Sequence, residues 1–153
     1  MKKLVLLLGL ISITTNAQVL NHKQEFTRQD SLRGTNNEFR NWWDVKKYKV
    51  SVEADYQSKS IKGKTIITFD KTAAQKSNLL QIDLQDPMIV SAVKLNGKEI
   101  SDFKRDGNVY FINVGKNIKN SANQLELIYS GNPRVAVKAP WDGGWIFAKD
   151  EKG

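Results

Sequence analysis

Two neighbouring stretches decide the fold: Tyr48-Lys49-Val50-Ser51-Val52-Glu53-Ala54-Asp55 and Ile61-Lys62-Gly63-Lys64-Thr65-Ile66-Ile67-Thr68-Phe69. Both alternate with a period of two, the signature of half-buried strands. In the first, Tyr48, Val50, Val52 and Ala54 share one face, while Lys47, Lys49, Ser51 and Glu53 share the other. In the second, Ile61, Thr65, Ile67 and Phe69 lie opposite Lys62, Lys64 and Thr68. The turn between them, near Gln57 to Ser60, makes the pair a hairpin. Gly63 inside a strand predicts a bulge or a close approach to the backbone.

The same period continues downstream. Leu80, Ile82 and Leu84 alternate with Gln81, Asp83 and Gln85, and Pro87, which has no N–H for a ladder, ends that strand. Ile89 to Leu95 is a strand, Asn96-Gly97 is the strongest turn signal of the chain, and Lys98 to Ile100 returns from it. Asp106-Gly107 marks another turn, and Val109 to Val114 another strand. Leu125, Leu127 and Tyr129 belong to a strand stopped by Gly131-Asn132-Pro133. Short strands with turn punctuation and no long helical period predict an all-β fold, an antiparallel saddle-like sheet or sandwich.

The ends read differently. Lys2 and Lys3, the apolar run Leu4 to Ile13 and the small residues Thr15-Asn16-Ala17 have the order of a secretory signal peptide, residues 1–17, too short to span a bilayer. Residues 18–41 read as a polar, extended lead-in with one short helical turn near Asn37 to Phe39. The β domain is expected over 42–153. At its end, Trp141-Asp142-Gly143-Gly144-Trp145 is a turn flanked by two large rings. Trp145 to Ala148 is expected to start a strand, and Asp150 to Gly153 to turn after it. An edge strand with no returning partner reads as a cut rather than a natural end.

Composition excludes several functions. The formal charge is +8, or +8 − 2 = +6 without Lys2 and Lys3. The lysines are dispersed and alternate with apolar residues, as on the wet face of strands, so no nucleic-acid partner is expected. With no cysteine, an exported fold rests on its core rather than on disulfides. The single histidine, His22, lies in the lead-in, whereas a zinc protease helix needs two histidines one turn apart and a glutamate base. The pairs Asp83/Asp86 and Glu99/Asp102 read as turn and surface charge rather than a glycosidase pair. Trp141-Asp142-Gly143-Gly144 lacks the lysine and helix of a phosphate loop. No catalytic and no metal residue is therefore assigned. Trp42, Trp43, Trp141 and Trp145 are expected to pack a core edge or a domain interface; an exposed platform for sugars is the alternative. Trp141, Asp142, Gly143, Gly144 and Trp145 are the candidate interface or cleft wall.

In their order, these pieces resemble the N-terminal domain of the aminopeptidase N family of zinc metallopeptidases. Tyr48 to Asp55 resembles its opening strand, Ile61 to Phe69 the second, and Leu80 to Leu84 with Ser91 to Gly97 the next block. Leu125-Glu126-Leu127-Ile128-Tyr129-Ser130-Gly131-Asn132-Pro133 resembles the strand ending in Tyr-x-Gly-x-Pro. Arg28 to Gly34, Trp42-Trp43-Asp44 and Pro140 to Gly144 resemble a branch found in Bacteroidetes. The resemblance implies a scaffold packed on a thermolysin-like catalytic domain that is missing here. That domain carries H-E-x-x-H with a downstream glutamate around zinc, and a Gly-x-Met-Glu-Asn loop for the free amine of peptide substrates. None of these motifs occurs in the chain, so no catalytic residue carries over. The signal-like start of the chain, rather than the resemblance, is what makes an exported location, periplasmic or extracellular, expected. The competing reading is a stand-alone extracellular module for a glycan or protein ligand.

Overall fold

A computed structural model describes residues 25–152. The expected signal peptide, His22 and Gly153 lie outside the described residues. The elements are α1 (Arg28–Gly34), β1 (Trp43–Asp55), β2 (Ser60–Lys71), β3 (Leu79–Asp83), β4 (Ile89–Leu95), β5 (Lys98–Ile100), β6 (Phe103–Asp106), β7 (Val109–Asn113) and β8 (Asn123–Gly131).

The strands form two antiparallel sheets, one ordered β1-β2-β8-β4-β5 and the other β3-β7-β6. The β1–β2 hairpin and the Asn96-Gly97 turn form as the sequence predicts; both turn residues have positive φ, which suits Asn and Gly. β8 returns between β2 and β4, so its inward residues Leu125 and Leu127 meet Ile67 and Thr65 on one side and Leu95 and Val93 on the other. Leu80, Tyr110 and Ile112 of the second sheet close the core over them. Burying each such side chain is worth roughly 1.5–3 kcal/mol. Trp42 has no exposed surface and meets Phe69 edge-on, while its indole N–H donates to the Leu79 carbonyl at 2.9 Å. That bond joins the start of the first sheet to an edge of the second.

The lead-in is not wholly extended. α1 forms because Thr27 caps it: the hydroxyl accepts the Asp30 N–H, and the Asp30 carboxylate accepts the Thr27 N–H at 2.9 Å. The helix is then tied across the second sheet. Arg28 pairs with Asp106 at 2.7 Å, and Gln29 hydrogen-bonds both Asp106 and the Asn108 N–H around the β6–β7 turn. Leu32 is buried, and its carbonyl accepts from Gln81 and Arg40.

This packing explains a second departure. Gln81 was expected on a wet face, yet it is 2% exposed, because α1 and the turn after it cover the outer face of β3. Its amide is satisfied there by the Leu32 carbonyl and Asn37. The expected turn near Asn37 is present, with Arg40 and Asn41 N–H donating to the Asn37 carbonyl. β6, which alternation did not reveal, is held by Arg105, whose guanidinium donates to the Met88 carbonyl at 2.6 Å and lies over the Tyr110 ring.

Gly63 marks a close approach and no bulge. The β1–β2 register shifts instead between Val45 and Lys47. The tail forms no strand over Trp145 to Ala148, and a single parallel bridge joins Val135 to Trp145. Its N–H and carbonyl groups bond back to Arg134 and Ala136 in a compact loop, so the extended ladder has no partner to grow on.

Candidate functional site

The five candidate residues come together in a lobe spanning residues 134–145. Gly131-Asn132-Pro133 stops β8, and the chain then doubles back on itself. The Trp145 N–H donates to the Arg134 carbonyl at 2.9 Å, and the Ala136 N–H to the Trp145 carbonyl at 3.0 Å. Asp142 sits at the centre. Its carboxylate accepts the Val137 N–H at 2.7 Å and faces the Arg134 guanidinium at 3.5 Å, while Arg134 also donates to the Asp142 carbonyl. The backbone N–H groups, Val137 foremost, and the nearby Arg134 cation hold its carboxyl below the usual carboxylate range. Its second oxygen is buried without a partner among the described residues.

The two glycines are needed for this turn. Gly144 has φ +114°, and a Cβ there would lie 2.8 Å from the Arg134 carbonyl oxygen and 2.9 Å from the Ala136 nitrogen. Gly143 has φ +62°. The rings flanking them diverge. Trp145 is partly covered and stacks on Phe147 at 6.3 Å, whereas Trp141 is 88% exposed. Val135, Val137 and Ile146 are exposed around them, giving the lobe an apolar rim. Trp42 and Trp43 are separate from it. They pack on Phe69 at the far end of the β1–β2 hairpin, as core residues.

Beside a cavity of about 330 Å³ under the lobe, lined by Met88, Tyr129, Arg134 and Trp145 among others, two larger ones adjoin these elements. One, of about 560 Å³, opens between the sheets and is lined by Trp43, Tyr48, Ile67, Leu84 and Tyr129, with the Arg40–Asp83 ion pair on its wall. The other, of about 490 Å³, runs between α1 and the lobe and is polar, with Asp30, Arg33, Arg134 and Asp142 on it. Asp83 is thus a structural partner of Arg40, Asp86 faces Arg105 at 3.3 Å, and Asp102 accepts from Asn113. Neither expected surface pair converges on a cleft.

Among the described residues, no group of three histidine, cysteine, aspartate or glutamate side chains is placed to hold a metal. One histidine and no cysteine in the chain fit no zinc protease site. The arrangement offers apolar and aromatic surface on a rigid support. No helix of the described residues is long and apolar enough to cross a membrane.

No family model and no curated protein matches the chain. Solved structures do. Yeast LTA4 hydrolase is similar with a TM-score of 0.50 at 19% identity, over 59% of this chain and 14% of the hydrolase. Its complex with bestatin gives 0.51 at 16% identity, over 59% and 15%. An M1 zinc metallopeptidase from Deinococcus radiodurans gives 0.47 at 19% identity, over 61% and 21%. The chain therefore spans about a seventh of the yeast enzyme. At this identity the likeness shows the fold, a β-rich antiparallel architecture matching the N-terminal domain of such peptidases.

Proposed function

We propose that this chain is the non-catalytic N-terminal scaffold domain of an exported zinc-dependent aminopeptidase, an enzyme that removes N-terminal residues from peptides. The observation that carries the reading is the fold shared with a small part of yeast LTA4 hydrolase. The residues of this chain do not fit zinc, so the metal, the water it activates and the glutamate base belong to a further catalytic domain of the same polypeptide. The role left for this domain is mechanical: it packs against the catalytic domain and walls the cleft that admits the peptide. The 134–145 lobe has the right character for that contact. Its backbone is locked by Asp142, Arg134 and two glycines, and its apolar side chains lack cover.

Zinc titration and an aminoacyl-amide assay on the full chain test the division of labour. Neither tight zinc binding nor turnover is expected, and chelator-sensitive hydrolysis by the chain itself would overturn it.

The exposed Trp141 ring favours one competing reading, an extracellular module that stacks on glycans. Saturable quenching of tryptophan fluorescence by an oligosaccharide, lost in Trp141→Ala, would support that reading over the scaffold.

A further inference from the structure

Among the described residues, strand β1 is a free edge of the five-stranded sheet, paired only with β2. It is 13 residues long and contains no proline. Long, regular edges of this kind present unpaired N–H and C=O groups to any second strand. The bulge between Val45 and Lys47 interrupts its first third, and Lys47 to Asp55 is regular.

The side chains of that regular part carry a symmetry. On one face stand Lys47, Lys49, Ser51, Glu53 and Asp55: two cations, a neutral residue, two anions. None of the four charged groups is in an ion pair among the described residues, although one oxygen of Asp55 accepts the Gln57 and Ser58 N–H groups of the following turn. On the other face stand Tyr48, Val50, Val52 and Ala54, and the first three are 57%, 57% and 46% exposed.

Two copies of one strand that pair antiparallel about a two-fold axis place residues equidistant from the axis opposite each other, on the same face. With the axis at Ser51, Lys47 faces Asp55 of the second copy and Lys49 faces its Glu53, each twice. Tyr48 then faces Ala54, and Val50 faces Val52. Neighbouring registers keep less of this match. An axis at Val50 keeps Lys47 against Glu53 but sets Lys49 against Ser51, one at Val52 keeps Lys49 against Asp55 but sets Glu53 against Ser51, one at Lys49 sets that lysine against itself, and one at Tyr48 sets Lys47 against Lys49. Opposite charges across strands stabilise and like charges destabilise.

We infer that β1 is a homotypic pairing surface, joining two copies of the chain edge to edge in the register centred on Ser51, so that two five-stranded sheets become one continuous sheet. The inference is independent of the peptidase reading, since it uses no residue of the 134–145 lobe.

Sedimentation of the full chain over a concentration series tests it. A reversible dimer is expected, weakened by salt. Lys49→Glu alone sets two pairs of like charge face to face and is expected to weaken the dimer by at least about tenfold, as is Glu53→Lys alone. Mixing the two single variants restores complementary pairs in a mixed dimer, and the double variant Lys49→Glu/Glu53→Lys restores them in its own dimer. These side chains are exposed, and unchanged near-UV circular dichroism checks that each variant is folded. A chain that stays monomeric, a dimer indifferent to both reversals, or single variants rescued neither by mixing nor by the double exchange would each overturn the inference.

Discussion

The hydroxyl end of the Tyr129 ring on β8 occupies the space a Cβ would fill at Gly63 on β2, its directly paired neighbour. Glycine in that strand therefore makes room for a ring, which also reaches the Thr65 hydroxyl at 3.3 Å and lines both the inter-sheet groove and the surface under the lobe. Gly63→Ala would force the ring out, and a loss of about 1–3 kcal/mol is expected, in the range of core overpacking. Urea unfolding measures it. Because the clash is with one side chain, Tyr129→Ala in the same chain should make the glycine change nearly neutral, a non-additivity that independent sites would not show.

Gln81 joins α1 to the sheet. Gln81→Leu removes one of the two donors to the Leu32 carbonyl, which keeps Arg40, and the acceptor for the half-buried Asn37 amide. The expected cost is about 1–3 kcal/mol. Faster hydrogen exchange in residues 28–41 than in β8 would place the loss at the helix.

The alternation of β1, β2 and β8 and the turns at Asn96 and Gly107 made the hairpins and the inward face readable from sequence, because period and turn chemistry are local. Other features were not readable. Alternation says which residues share a face, but not what covers it. Tyr48, Val50 and Val52 read as a core face, yet the second sheet does not reach over them. Gln81 read as a wet residue, yet α1 covers it. The tail strand was expected from its composition, but bonds within the 134–145 lobe took its N–H and carbonyl groups. The helix itself left a signal in Thr27-x-x-Asp30, the capping-box spacing, which a search for sustained apolar period passes over. At the candidate site, the sequence located the turn and its two rings. The centring of that turn on Asp142 depends on Val137 and Arg134, which only the folded loop brings to it.

Asp142 makes the lobe sensitive to acid. Its carboxyl is held below its unfolded value, so the stabilisation is complete above the unfolded pKa of about 3.9 and is lost as pH falls through the lower folded value. Exchange of the Val137 amide should therefore be slow at neutral pH after correction for intrinsic rates, and should accelerate in acid relative to β8 amides. Asp142→Asn should show weak protection throughout and little pH dependence at this amide.

Gly144→Ala places a Cβ against backbone atoms of Arg134 and Ala136 that cannot yield, in a region of φ that alanine avoids. The local cost is of order 1–3 kcal/mol. Limited proteolysis should open residues 134–145 while the β8 core stays protected.

Two tryptophans make the contrast between core and surface quantitative. Trp42→Ala empties a fully buried site and should cost about 3–5 kcal/mol. Trp141→Ala removes an exposed ring and should change the stability of this chain by no more than about 0.5 kcal/mol. A large loss from Trp141→Ala would show the ring holding this fold together rather than waiting for a partner.

The scaffold reading requires that the groups for zinc lie elsewhere on the same polypeptide, and sequencing the coding DNA beyond the Gly153 codon tests that most directly. The expected result is an open frame that runs on into an H-E-x-x-H segment with a downstream glutamate. A stop codon directly after Gly153 in the native gene, with a stable, inactive product, would contradict it.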